Sequence, residues 1–259
     1  HGIYRDRPLE ELRLAIGGSY AGETGKSLSR VQFPFGIQEG RTERSVDTWS
    51  LFGEAAWEVA DGHSLLGALR IDSVEALETV STSRLAYRMR IGNRVRAQVS
   101  YGEGFKKPSF FALDNPVVGN PLLEAEESDL LEAALLVAGS SRRWTWRTSV
   151  FRQRFTNLID LSESAPPRLV NLSEVISEGL TTRVRFEDER MGFLFSATWM
   201  DVEVPGSDEL LRNRPEWNLA TEGWWRLAES LRLAAAGRYV GDRLDSSVPT
   251  GTRRLGGFL

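Results

Sequence analysis

An all-β fold is what this sequence predicts, an antiparallel transmembrane β-barrel that crosses a bilayer with strands. Three observations point there. Hydrophobicity alternates with period two in runs longer than soluble strands usually reach. The connections between those runs alternate short and long. The tryptophans gather near the run ends.

In chain order, the alternation predicts about eleven strands: Leu9–Gly22, Asp47–Ala60, Ser64–Val74, Ser83–Ile91, Arg94–Gly102, Ser128–Ala138, Arg142–Phe155, Val175–Phe186, Gly192–Asp201, Trp217–Arg226 and Ser230–Val240. In the first, Leu12, Leu14, Ile16 and Tyr20 share one face, with Arg13 and Ser19 on the other. Leu85, Tyr87, Met89 and Ile91 oppose Arg84, Arg88 and Arg90. Val95, Ala97, Val99 and Tyr101 oppose Arg94, Arg96, Gln98 and Ser100. Leu231, Leu233, Ala235 and Tyr239 oppose Arg232 and Arg238. Successive side chains of a strand point to opposite faces, so each run carries one apolar and one polar face. Only SDLLEAALLVAG could pass for a helix, and there Leu131, Ala133, Leu135 and Val137 keep the alternation.

Long connections are expected at Glu23–Val46, Glu103–Glu127, Thr156–Glu174 and Val202–Glu216, with a medium one at Glu75–Thr82. Short ones, such as DGH, GN and GSS, fall between them. Tight turns at one end and loops at the other are the build of an outer-membrane meander; Greek-key sandwiches do not sort their connections this way. By the same parity, Trp57, Trp144, Trp146, Trp224 and Trp225 belong to the turn end, and Trp49, Trp199 and Trp217 to the loop end. Two aromatic belts are expected of a barrel at its two interfaces. The repeated arginines, including Arg183 and Arg185, must then face an aqueous or protein-filled interior, because each would cost a few kcal/mol in hydrocarbon.

Composition narrows the classes further. The chain has 259 residues, 41% hydrophobic and 26% charged, which suits a folded chain. Its net charge of -4 argues against a dedicated nucleic-acid binder. The absence of cysteine removes disulfides, thiolate metal sites and cysteine nucleophiles. No apolar run is long enough for a membrane-spanning helix. The chain opens HGIYRDRP without an initiating Met and closes on GGFL, where a strand pattern begins, and is expected to be a fragment cut at both ends.

Chemistry-bearing groups are few. The GxG of Tyr101-Gly-Glu-Gly-Phe has no following helix to cradle a phosphate. Lys106 and Lys107 are a basic pair that either binds an anion or is simply solvated. The two histidines are His1 and His63, the latter in a tight turn away from the long loops. Glu124, Glu126, Glu127 and Asp129 could hold calcium from a loop, without a fixed ligand spacing.

The stretch YGEGFKKPSFFALDNPVVGNPLLEAEESDLLEAAL resembles the signature of TonB-dependent outer-membrane receptors, of the cobalamin and siderophore type. Tyr101, Gly102, Gly104, Phe105, Lys106, Pro108, Ser109 and Leu113 match its first part; Gly119, Asn120, Pro121, Leu123, Glu126, Ser128 and Glu132 match its second. Ala125 stands where the family usually has proline. Asn157 to Asp160, the pair Asn171 and Gly179, RNRPEWNL, and Tyr239 to Asp245 resemble later elements in the family's order.

The resemblance implies that residues 1–259 are one partial barrel domain, of a type with about 22 strands and a plug. The plug, the TonB box and the closing strands would lie outside it. It implies a monomeric receptor in the bacterial outer membrane, in contact with lipid and with the TonB complex through an N-terminal segment. Its cargo would be a metal chelate or cobalamin, moved without enzymatic chemistry or cofactor. Glu103–Glu127 becomes an extracellular loop stiffened by Pro108, Pro116 and Pro121. Within it Phe105, Lys106, Phe110 and Phe111 are the candidate ligand contacts, the phenylalanines reading more readily as packing under the loop. Two competing classes are an outer-membrane enzyme barrel, which needs a histidine or acid constellation near the rim, and a soluble carbohydrate-binding β-protein, which needs shorter strands.

Overall fold

The computed structural model describes residues 2–9, 11–33, 36–75, 77–139, 141, 143–162, 166–206, 211, 213–244 and 254–255. Twelve strands pair antiparallel in chain order: β1 (Gly2–Leu9), β2 (Leu12–Phe33), β3 (Gly36–Ala60), β4 (His63–Val74), β5 (Val80–Ile91), β6 (Val95–Lys106), β7 (Glu126–Ala138), β8 (Trp144–Leu161), β9 (Leu169–Glu187), β10 (Met191–Glu203), β11 (Trp217–Ala228) and β12 (Leu231–Val240). A short helix, α1 (Phe110–Asp114), sits in the β6–β7 connection, and β13 (Arg243–Leu244) pairs with β14 (Arg254–Leu255) as a separate ribbon. Within the large sheet β1 and β12 have one neighbour each, so the wall is an open arc.

Register assigns the faces. Directly paired residues lie on the same side of a sheet. One row of pairs runs Leu12, Trp57, Leu65, Tyr87, Val99, Ala133, Val150, Leu180, Trp199, Trp217, one residue per strand from β2 to β11. Every member is apolar or aromatic. The row starts at the turn end of β2 and finishes at the loop end of β11, so register climbs steadily around the arc, as strand tilt in a barrel requires. Its large side chains are open to the surroundings, with Val99 51%, Val150 53% and Trp199 40% exposed. Between the aromatic ends, the outward positions of β2–β12 among the described residues carry no charged side chain. Charge begins immediately beyond the loop-end belt, where Arg152 meets Glu178 at 2.8 Å and Arg154 meets Asp129 at 2.8 Å.

The opposite face is polar and lines the concave side. Its row runs Arg90, Arg96, Leu136, Arg147, Arg183, Ser196, Ala220, Arg238. Arg96, Arg232 and Arg238 therefore face inward as the alternation predicts, while Arg94 lies in the β5–β6 turn. Seven tryptophans face outward. Trp224 does not: it shares the inward face of β11 with Glu222, and Arg232 stacks over its ring with Cζ 4.2 Å from the centroid. Being next to Trp225, one of the two had to point inward.

Two further expectations are corrected. The run from Leu9 is broken by a turn after β1, which adds a twelfth strand. Glu23–Val46 is not a loop: β2 and β3 continue through it as a hairpin paired from Gly22↔Asp47 to Phe33↔Gly36. β3 leaves β4 at Thr48, so this ribbon stands beyond the wall with no third strand. Directly opposed charges hold it, Lys26 with Glu43 at 2.7 Å and Arg30 with Glu39 at 3.1 Å. His1, Arg142, Asp245 and the closing GGFL lie outside the described residues.

The tight turns carry their own chemistry. In the β9–β10 turn Asp188 accepts the backbone N–H of Arg190 and of Met191, each at 2.8 Å, and these bonds hold its carboxyl below the usual carboxylate range. A lowered pKa means the turn's contribution is complete at neutral pH and is lost as pH falls through that lowered value.

The facing assignment has a direct test. Arginine at outward Val150 or Leu180 is expected to destabilise the membrane-inserted barrel by about 2–4 kcal/mol, and arginine at inward Thr181 by far less. Denaturant titration of the three variants in lipid vesicles reads the difference; equal losses at all three would contradict the register.

Candidate functional site

The loop end holds most of the buried apolar side chains among the described residues: Val74, Ala112, Leu123, Leu158 and Val175. The 107–125 connection closes over this region and is tied down on two sides. Pro108 cannot continue a helix backward, and Ser109 caps α1, its Oγ accepting the N–H of Ala112 at 3.1 Å. Toward the β2–β3 ribbon, Arg44 donates two hydrogen bonds to Asp114, Nε to Oδ2 at 3.0 Å and Nη2 to Oδ1 at 2.9 Å. Lys107 pairs with Glu23 at 2.8 Å. Phe110 lies flat on Gly25, where an added Cβ would fall 2.0 Å from its Cδ2.

On the other side the connection is bonded to the β8–β9 hairpin. Leu169 N–H donates to Val118 C=O at 2.8 Å, and Asn120 Nδ2 to Leu169 C=O at 3.0 Å. Asn171 accepts Glu124 N–H at 3.0 Å and donates to Asn157 C=O at 2.7 Å. Asn157 has φ of 58°, a left-handed conformation that asparagine tolerates, and the β8–β9 pairing skips there. Glu126, nearly buried, accepts Lys106 Nζ at 2.7 Å and Ile159 N–H at 2.9 Å. Of the signature positions, Lys106, Ser109, Asn120, Glu126, Asn157 and Asn171 are thus brought together, and their common work is fixing one loop conformation.

The candidate contacts separate on this scaffold. Phe105 pairs with Glu127 on the outward face. Lys106 faces inward on Glu126. Phe110 is spent on Gly25. Phe111, 60% exposed, is the ring that α1 presents to the surroundings. The carboxylates of Glu124, Glu126, Glu127 and Asp129 do not converge: Glu126 points inward, Glu127 and Asp129 outward, and no cluster of three or more His, Asp or Glu side chains that could hold a metal occurs among the described residues. His63 opens β4 at the turn end, its Nδ1 2.6 Å from Tyr87 Oη, far from the loops. Arg44 and Gly25 were not legible as site residues, since their ribbon reads as solvated loop, and Asp114 of α1 gains its role only once Arg44 is brought onto it.

Below the rim the lumen wall is cationic. A recess of about 880 Å³ on the concave face is bordered by Arg147, Arg183, Arg185, Glu222, Trp224 and Arg232. Arg185 is ion-paired to Glu187, and Arg147 lies 3.7 Å from Glu132. Toward the loops Asp72 is almost fully buried and accepts hydrogen bonds from Arg70 and from Ser50. Phe151 packs across Gly179, where an added Cβ would fall 2.7 Å from the ring and 2.4 Å from Trp199 O.

Comparison with known proteins agrees with this architecture. Residues 7–259 match the family model of the TonB dependent receptor-like β-barrel. The vitamin B12 transporter of Photobacterium profundum is 25% identical over 225 residues, covering 83% of this chain and 36% of that protein. The vitamin B12 transporter of Vibrio vulnificus is 27% identical over 186 residues, covering 71% of this chain and 30% of that protein. The chain thus spans about a third of the length of these relatives. Among solved structures, the siderophore receptor PirA of Pseudomonas aeruginosa superposes with a TM-score of 0.72 at 18% identity, over 92% of this chain and 44% of that one.

The clamp on the loop is testable. Arg44→Ala should weaken it by roughly 1 kcal/mol, since the pair is partly solvated, about fivefold in the population of the open loop. Gly25→Ala should act in the same direction by pushing Phe110 off its seat. Protease cleavage within 107–125 on intact cells measures both; unchanged cleavage in both variants would show that the ribbon does not hold the loop.

Proposed function

We infer function from membership: this chain belongs to the TonB-dependent receptor β-barrel family, and we propose that it forms part of the wall and rim of an active transporter for a scarce nutrient. The family's place is the bacterial outer membrane, which the outward apolar rows and the loop–turn parity suit. The cargo class we propose is a cobalamin or a ferric siderophore. Cobalamin comes first, because the relatives similar in sequence are vitamin B12 transporters. Energy would come through the TonB complex, engaged by a segment outside this chain, with a plug filling the lumen and the receptor working as a monomer.

The observation that carries this reading is the family match across residues 7–259, joined to a rim in which a long loop is locked in one conformation over a polar, arginine-lined interior. Family relatives are receptors and transporters.

Cells lacking their own cobalamin receptor, given the full-length gene, should grow on limiting cyanocobalamin only when TonB is present. Growth on ferric siderophores alone would move the cargo to that class, and TonB-independent growth or none on either would overturn the reading. Within the rim, Phe111→Ala should raise the dissociation constant for cyanocobalamin about tenfold, about 1.4 kcal/mol, because an exposed ring offers contact area at low entropy cost. Phe105→Ala should leave it unchanged. Equal binding by the Phe111 variant and the wild type would return Phe111 to loop packing.

A further inference from the structure

We propose that Asn157 is a positioning residue: by holding a left-handed joint in β8, it sets where α1 and its exposed ring Phe111 stand on the rim. The proposal rests on the transporter reading above and adds how the rim is aimed at a cargo.

The joint is visible in the backbone. Asn157 has φ of 58°, and the β8–β9 pairing passes over it, from Thr156↔Glu174 to Leu158↔Leu172. Exposure changes at the same point. Arg152, Arg154 and Thr156 are exposed on the outward side, whereas Leu158, the next residue of that parity, is only 8% exposed. A left-handed residue with a side chain is strained unless its surroundings hold it there, and asparagine tolerates the conformation better than most. Here the surroundings are Glu124 and Asn171. Asn157 Nδ2 donates to Glu124 Oε2 at 3.0 Å, and Asn157 C=O accepts Asn171 Nδ2 at 2.7 Å. Asn171 closes the triangle, its Oδ1 accepting Glu124 N–H at 3.0 Å and its Nδ2 donating to Glu124 C=O at 3.2 Å.

From this triangle a line of bonds leads to α1. Leu169 N–H donates to Val118 C=O at 2.8 Å, and Arg168 Nε to Gly119 C=O at 3.3 Å. Asn120 Nδ2 donates to Leu169 C=O at 3.0 Å, while Asn120 N–H donates to Ala112 C=O at 2.8 Å, within the helix that carries Phe111. These links end on backbone groups, so the 107–125 connection and the hairpin beyond Asn157 form one body. A change of backbone angle at residue 157 therefore displaces Phe111. On the ribbon side the same body is held by Arg44–Asp114 and Lys107–Glu23, ion pairs on long side chains that restrain its direction less sharply.

The test uses the full-length receptor and two readouts, protease cleavage within 107–125 and the dissociation constant for cyanocobalamin. Asn157→Gly keeps the left-handed backbone and loses only an exposed amide, so both readouts should stay within about twofold of wild type. Asn157→Val resists the conformation and should raise both about tenfold. Asn157→Asp tolerates the conformation but sets a carboxylate against Glu124, so both should rise severalfold. Adding Glu124→Gln should restore them, because its amide donates to the new carboxylate, a coupling that two independent structural losses would not show. Unchanged readouts in the valine and aspartate variants would overturn the proposal, as would an aspartate variant that Glu124→Gln fails to restore. Cleavage that rises while the dissociation constant stays put would also overturn it. Should the valine variant fail to assemble, the aspartate variant with and without Glu124→Gln decides alone. Cleavage needs no cargo: a wild type that binds no cyanocobalamin ends the cobalamin reading and leaves the cleavage series to decide the joint. Binding by the wild type with an unmoved series ends the joint and leaves the transport reading standing.

Discussion

The wall depends on one constraint: in hydrocarbon no water is available to bond a bare N–H or C=O, so each must be bonded within the sheet. A meander satisfies this by pairing every strand with its sequence neighbour, and the sheet order β1 to β12 does so without a crossover. Once pairing is fixed, the period-two alternation decides everything about the faces. A one-residue slip would send the Arg183 side of β9 into lipid and the Leu180 side into the lumen, so the register is held by the cost of the wrong alternative as much as by the contacts of the right one.

The two ends of the wall solve different problems. At the turn end, connections of two to five residues suffice, and Asp188 shows how one carboxylate can close such a turn. At the loop end the chain must leave the membrane and hold a shape with little core. It does so with polar staples: Asn120, Asn157, Asn171, Glu124 and Glu126 bond backbone groups or one another between the β6–β7 connection and the β8–β9 hairpin. The free-standing ribbon of β2 and β3 then braces the same connection from the other side through Arg44 and Gly25. The rim is organised by hydrogen bonds and three ion pairs, and its few buried apolar groups fill the space beneath.

Function follows from this division. Under the proposed function, a wall that is apolar outside and arginine-rich inside would make a path for polar matter, and a rim held in one conformation would recognise a cargo without ordering a loop at each encounter. The ring of Phe111 is exposed while that of Phe110 is packed on Gly25, so only part of the aromatic cluster seen in the sequence is free for a cargo.

From the sequence alone, strand faces, the parity of the connections and the identity of the signature stretch were legible, because each depends on local spacing: Val95 and Val99 against Arg96, Leu231 and Leu233 against Arg232. What stayed hidden depended on neighbours. The ribbon at Glu23–Val46 is mostly polar, with its apolar residues gathered near its tip, and so it reads as a loop until Lys26 is seen opposite Glu43. Trp224 and Trp225 look equivalent until pairing with Gly192 and Met191 sends one inward and the other to lipid. Phe110 and Phe111 differ by one position in a five-residue helix, and only the glycine brought up from β2, eighty-five positions away in the chain, distinguishes a packed ring from an open one. Alternation is a property of one strand, whereas the tasks of Trp224, Phe110 and Arg44 are set by residues that only the folded sheet places beside them.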